Sequence, residues 1–167
     1  MDSEHKAVVA VSSSTAINAP RHVVRDVLLG FASYPEWSKS FVSQVVLLDS
    51  KRKPLADQRT PAATGSWVRV TACLPNTTST HVNDEVILEL DAETGTLAWR
   101  YVGYWGALTA ERIQTLHEAE DGTTVYKTHE DFWGPFAWIL KWTSVPNLQA
   151  AFDVFGKELK ERAESLK

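Results

Sequence analysis

The spacing of apolar positions divides the chain into short strands bracketed by helices. Residues 7–17, Ala-Val-Val-Ala-Val-Ser-Ser-Ser-Thr-Ala-Ile, are small and β-branched and predict a first strand. Asn18-Ala19-Pro20 then places a helix-opening proline ahead of Val23, Val24, Val27 and Leu28, whose three-and-four spacing makes one apolar face that Gly30 closes. Tyr34-Pro35-Glu36-Trp37 predicts a turn or second short helix, and residues 41–48 the next strand. Residues 49–65, with Lys51, Arg52, Lys53, Pro54 and Pro61, predict an exposed, mobile loop. Five further strands follow between turn signals, over residues 66–74, 84–90, 96–102, 110–118 and 124–133, the pattern of an antiparallel meander. In the run 85–90 the acids and Ile87 fall on one face and Val86, Leu88 and Leu90 on the other, which predicts a sheet with one dry face. The C-terminal segment carries Leu148, Ala151, Phe152, Phe155, Leu159 and Leu166 on one helical stripe, with charged residues opposite. A helix of about 20 residues spans about 30 Å, enough to lie across that dry face.

Asp121-Gly122 is the strongest local signal, because this dipeptide favours two-residue hairpin turns. Such a turn sets Glu120 opposite Thr123 and fixes the register of the last two strands. Arg112 then faces Asp131, Gln114 faces His129 and Leu116 faces Lys127, a polar set expected on the solvent side. The other side pairs Glu111 with Phe132, Ile113 with Glu130, Thr115 with Thr128 and His117 with Tyr126, and is the expected inner face. His129 and Glu130 point to opposite sides of the sheet and do not form a dyad. On this register Glu111 and Glu130 are diagonal neighbours: either burial and mutual repulsion raise a carboxyl toward the range useful for general acid catalysis, or both carboxylates only solvate a wet cavity mouth or pair with an Arg or Lys.

Composition narrows the chemistry. At 167 residues and 44% hydrophobic the chain is expected to form one domain, 1–167. A net charge of −4 gives no electrostatic reason to expect nucleic acid. No run approaches the length of a spanning helix and the polar segment Met1–Lys6 is unlike a signal, so a soluble cytoplasmic protein without a membrane span is expected. Cys73 is the only cysteine and is expected as core filler. Asn76-Thr77-Thr78 matches a glycosylation sequon and is read as loop polarity. The five histidines show none of the close spacings of a metal site, and Gly103 and Gly106 lack phosphate-loop spacing, so neither metal nor cofactor is implied. Those glycines instead flank Tyr104-Trp105, a candidate aromatic loop at a pocket mouth. Seven tryptophans, several between Trp99 and Trp142, suit either a core or the wall of an apolar pocket.

The order of these elements resembles the START-like, or SRPBCC, superfamily of helix-grip proteins, which includes pollen-allergen-like carriers and polyketide cyclases. The resemblance rests on Ile17-Asn18-Ala19-Pro20, Tyr34-Pro35-Glu36-Trp37, Leu97-Ala98-Trp99-Arg100, Gly122-Thr123-Thr124, Glu130-Asp131-Phe132-Trp133-Gly134 and the closing residues 158–164. Trp37-Ser38-Lys39 stands where relatives often have Trp-Asn-Pro. A histidine that many relatives carry is replaced by Thr128 or Glu111, so no imidazole mechanism transfers. The resemblance implies an α+β helix-grip fold: a curved seven-stranded antiparallel sheet around a long C-terminal helix, two short helices after the first strand, and a deep cavity.

The expected ligand is a hydrophobic, partly oxygenated molecule such as a polyketide or terpenoid. Binding is joined in this scheme by acid–base assistance to cyclisation, dehydration or isomerisation. Glu130 acts as acid or base and Glu111 tunes it or shares a proton. Tyr126, Thr115 and Thr128 orient ligand oxygens, His117 meets Tyr126 or the ligand, and Trp99, Tyr101, Ile113, Phe132, Phe152 and Phe155 complete the pocket. Two other readings stay open: a non-catalytic carrier or sensor, and a protein-interaction domain using Trp133, Trp138 and Trp142 as an apolar patch. Whether the chain forms a homodimer also stays open.

Overall fold

A computed structural model describes residues 6–75, 77 and 80–167; most of the polar N-terminal segment and, from the sequon, Asn76 and Thr78 lie outside the described residues. Seven strands form one antiparallel sheet in the order β1-β7-β6-β5-β4-β3-β2: β1 Val9–Ile17, β2 Val42–Leu48, β3 Trp67–Cys73, β4 Thr80–Asp91, β5 Thr96–Gly103, β6 Leu108–Glu118 and β7 Thr124–Trp133. Helix α1 (Arg21–Leu29) and the single turn α2 (Tyr34–Trp37) carry the chain between the two edge strands β1 and β2. The register breaks between Val42 and Gln44 on β2 and between Ile87 and Glu89 on β4. Irregularities of this kind bend a strand, and here the sheet curls around α4 (Val145–Glu164).

Burial explains the grip. Helix α4 buries Leu148, Ala151, Phe152, Phe155, Gly156, Leu159 and Ala163 on one stripe against the concave face. Leu166, expected on that stripe, lies beyond the last helical turn and is exposed. Helix and sheet approach closely at Gly156: a Cβ there would meet the Thr15 hydroxyl oxygen of β1 at 2.3 Å. Val24, Val27 and Leu28 of α1 are buried, as their spacing predicts.

One helix absent from the sequence-based expectations is added, and two local expectations are refined. Helix α3 (Pro135–Thr143) precedes α4, opened by Gly134 at φ 96° with Pro135 behind it and closed at Ser144, before Pro146 restarts the helix. The segment 49–65 is mostly exposed, as expected, and is anchored at Gln58, whose side chain accepts from the Leu47 amide at 2.7 Å and donates to the Leu55 carbonyl at 2.7 Å. Cys73 is half-buried at the end of β3, not core filler.

The hairpin joining β6 and β7 departs most from expectation. The Ala119 amide donates to the Thr123 carbonyl at 2.8 Å and the Gly122 amide to the Ala119 carbonyl at 3.0 Å, so Glu120, Asp121 and Gly122 all sit in the loop. Gly122 takes φ 79°, and the Asp121 carboxylate accepts from the Thr123 amide and hydroxyl at 3.0 and 2.7 Å. This is a tight turn followed by a left-handed glycine, not the two-residue loop. Arg112 therefore pairs with Glu130, Gln114 with Thr128 and Leu116 with Tyr126. A one-residue slip turns every side chain of β6 to the other face while leaving β7 as expected.

Candidate functional site

Alternation along four central strands builds the site. Strand β7 turns Tyr126, Thr128, Glu130 and Phe132 to the concave side, and β6 turns Ala110, Arg112, Gln114 and Leu116 there. Strand β5 contributes Leu97, Trp99 and Tyr101, and β4 contributes Glu85, paired with Tyr101, and Ile87, paired with Trp99. The expected dry face of β4 is thus reversed over its central part: Val86 lies opposite Arg100 on the outer side. The break after Ile87 then returns Leu90 to the inside, opposite Leu97. Leu140 and Ser144 of the α3 end and Leu148 of α4 close the space from above. A cavity of about 180 Å³ remains, walled by Trp99, Tyr101, Phe132, Leu108 and Val70 and carrying Glu85, Arg112, Glu130, His81 and Asn83 as its polar groups.

Arg112 forms the floor, only 2% exposed. Its Nε donates to Thr128 Oγ1 at 3.0 Å and its Nη2 to the Tyr126 hydroxyl at 3.3 Å, and that hydroxyl donates to Gln114 Oε1 at 2.7 Å. The guanidinium carbon lies 4.5, 5.0 and 5.3 Å from the ring centres of Phe152, Phe155 and Phe41, within cation–π range of each. Burial pushes Glu85 up to about 8, with the Glu130 charge adding to the rise and Arg112 opposing it. Burial likewise pushes Glu130 up to about 7, against the pull of Arg112. Burial also raises the Tyr126 phenol, which stays a neutral hydrogen-bonding group. Two carboxyls poised near neutrality beside one fixed cation can exchange protons with a bound molecule and stabilise an oxyanion on it.

The expected site residues divide between the two faces. Glu130, Trp99, Tyr101 and Phe132 line the cavity. Tyr126, Thr128, Phe152 and Phe155 are buried around Arg112 and hold it, rather than lining the space themselves. Glu111, Ile113, Thr115 and His117 are on the outer face, a correction that follows from the hairpin slip. Glu111 there accepts from Arg100 Nη2 at 2.8 Å, and the Thr115 hydroxyl meets His117 Nε2 at 3.1 Å. His129 also faces outward, between Ser12 and Asp131, so it forms no dyad with Glu130. Arg112, Gln114 and Glu85 escape the sequence reading. The run Glu120-Asp121-Gly122, which also suits a three-residue loop ending on glycine, is the signal that would have found the first two.

Among the described residues there is no cluster of His, Cys, Asp or Glu able to hold a metal ion, and no helix long and apolar enough to cross a membrane.

No protein-family model and no curated protein matches this sequence. Solved structures do. A hypothetical protein of Helicobacter pylori, jhp0584, superposes with a TM-score of 0.70 at 15% identity, over 96% of this chain and 90% of its own. TTHA0849 of Thermus thermophilus gives 0.65 at 17% identity, over 95% and 99%. Ara h 8.0201 gives 0.62 at 14% identity, over 94% and 98%. At these identities the likeness is one of fold, and with the sheet order and the gripped helix it establishes that this chain has the helix-grip fold.

Proposed function

We propose that the chain binds a compact, apolar, partly oxygenated molecule, of polyketide or terpenoid character, in the cavity between sheet and α4 and assists its dehydration, isomerisation or cyclisation. The observation that carries this reading is the grouping of Glu85, Glu130 and Arg112 on one wall of an otherwise apolar space. A volume of about 180 Å³ lies below the roughly 300–1,000 Å³ of drug-sized pockets, which favours a small substrate. Glu85, the more strongly raised carboxyl, holds its proton at neutral pH and serves as acid. Glu130, with its lower value, is partly ionised there and serves as base. Arg112 steadies negative charge developing on a substrate oxygen. Enclosure folds a flexible substrate into a reactive conformer.

The first experiment is native mass spectrometry of the purified protein, followed by denaturation and identification of whatever is released. With the ligand named, Glu130→Gln is expected to keep affinity and lower turnover by about 100-fold or more. Loss of affinity alone, or of neither, assigns the cavity to a carrier or sensor.

A second reading is favoured by the exposed aromatics around α3 and the 104–106 turn. Trp142 is 83% exposed, and Trp105, Trp138 and Ile139 are exposed with it. An apolar rim of this kind suits a protein partner or a second copy of the chain. Size-exclusion profiles over a dilution series would then shift with concentration; a constant monomer profile removes self-association.

A further inference from the structure

Arg112 poses an energetic problem that its own fold does not solve. Removing a guanidinium from water costs several kcal/mol unless an opposite charge and further hydrogen bonds replace the lost hydration. Its hydrogen-bond acceptors among the described residues, Thr128 and Tyr126, are neutral, and the rings of Phe41, Phe152 and Phe155 lie within cation–π range of it. No ion pair involves it among the described residues. Glu130 sits directly across the ladder and both carboxyls share the cavity, yet neither forms an ion pair with the guanidinium, whose hydrogen bonds run to Thr128 and, through Tyr126, to Gln114. Burial keeps Glu85 largely and Glu130 partly protonated at neutral pH, so neither is a full counter-charge. A guanidinium has five N–H donors, more than two neutral acceptors satisfy, and Arg112 borders the cavity.

We propose that the cavity's ligand is a small apolar monocarboxylate whose carboxylate docks on Arg112. This rests on the reading of the cavity as a ligand site. Carboxylate is favoured over phosphate on charge and shape. One planar guanidinium matches one carboxylate through paired N–H bonds. The cavity lining contains no second Arg or Lys to meet a dianion, and Glu85 and Glu130 would repel one. The rest of the ligand lies against Trp99, Phe132, Leu140 and Leu148, a wall that suits a ring or short chain. Hydrogen bonds from the protonated carboxyls of Glu85 or Glu130 can add to the hold on its oxygens.

The test pairs acids with their primary amides, which keep shape and lose charge: cinnamate and cinnamamide, benzoate and benzamide, hexanoate and hexanamide. Each is titrated into the full chain at pH 7 by calorimetry. The expected result is that at least one acid binds about tenfold or more tighter than its amide, and that Arg112→Gln removes the preference. Arg112→Lys, which keeps charge without the fork, should retain part of it. Equal or tighter binding of the amides overturns the carboxylate assignment while leaving the cavity a ligand site. A preference that persists in Arg112→Gln, with circular dichroism confirming the fold, overturns the role of Arg112. If no acid or amide binds, the cavity reading itself fails and the inference with it. The comparison of acid with amide in the unmodified chain needs no variant, so a misfolded Arg112→Gln leaves the proposal decidable.

Discussion

Glu85 and Glu130 tie the stability of this protein to pH through a single cause, burial of their carboxyls. In the unfolded chain both titrate near 4.5, whereas in the fold they hold protons up to about 8 and about 7. The folded state binds more protons between those limits, so their contribution to stability is complete below the unfolded value. It is lost as pH rises through about 7 and then about 8. Urea unfolding from about pH 5 to about pH 9 should therefore show declining stability. Glu85→Gln, neutral throughout, should flatten the upper part of that decline; an unchanged slope would mean Glu85 is already ionised in the fold. The identity of these groups was only half legible. Glu130 is readable because β7 alternates without interruption, but Glu85 shares its face with Ile87 and looks like part of a solvated row until the neighbouring strand is known. Arg112 is harder still, since a charged residue beside Glu111 and two positions from Gln114 gives no local sign that its side chain is buried.

At the level of elements, the β6–β7 hairpin decides which chemistry enters the cavity. Its register depends on Gly122 at φ 79°, where an added Cβ would meet nothing within 4 Å. The cost of Gly122→Ala is thus purely conformational, about 1–2 kcal/mol. It should appear as a lower urea midpoint, and Gly122→Asn, which tolerates the left-handed region, should cost less. Had the two-residue turn formed instead, Glu111, Ile113, Thr115 and His117 would face α4 and Arg112 would face water. The strands themselves were legible from alternation, and α4 from its stripe. Helix α3 was not, because its exposed face carries Trp138, Ile139 and Trp142 in place of polar residues, which erases the amphipathic signal. Gly134-Pro135 marked its start all the same.

For the whole molecule, the cavity is what remains where the curved sheet and the helices packed on it do not fill the space between them. Ala110 lies on its wall, so Ala110→Leu should fill part of the space. Ligand affinity should fall by about tenfold or more while the thermal midpoint holds or rises, the trade expected when a functional void is packed. A fall in the midpoint would show instead that Ala110 is tightly enclosed. The sequence by itself determined the alternating strands and the closing helix, because periodicities of two and 3.6 residues report which face of an element is apolar, while the helix-grip arrangement of those elements was implied by the family resemblance. It also placed Glu130, Trp99, Tyr101 and Phe132 toward the inside. Only the tertiary structure decided that Arg112 and Glu85 join them and that Glu111 does not. A loop one residue longer than its best local signal, and a break in β4, change facing without changing strand propensity. Facing is settled by pairing with distant strands and by packing against α4.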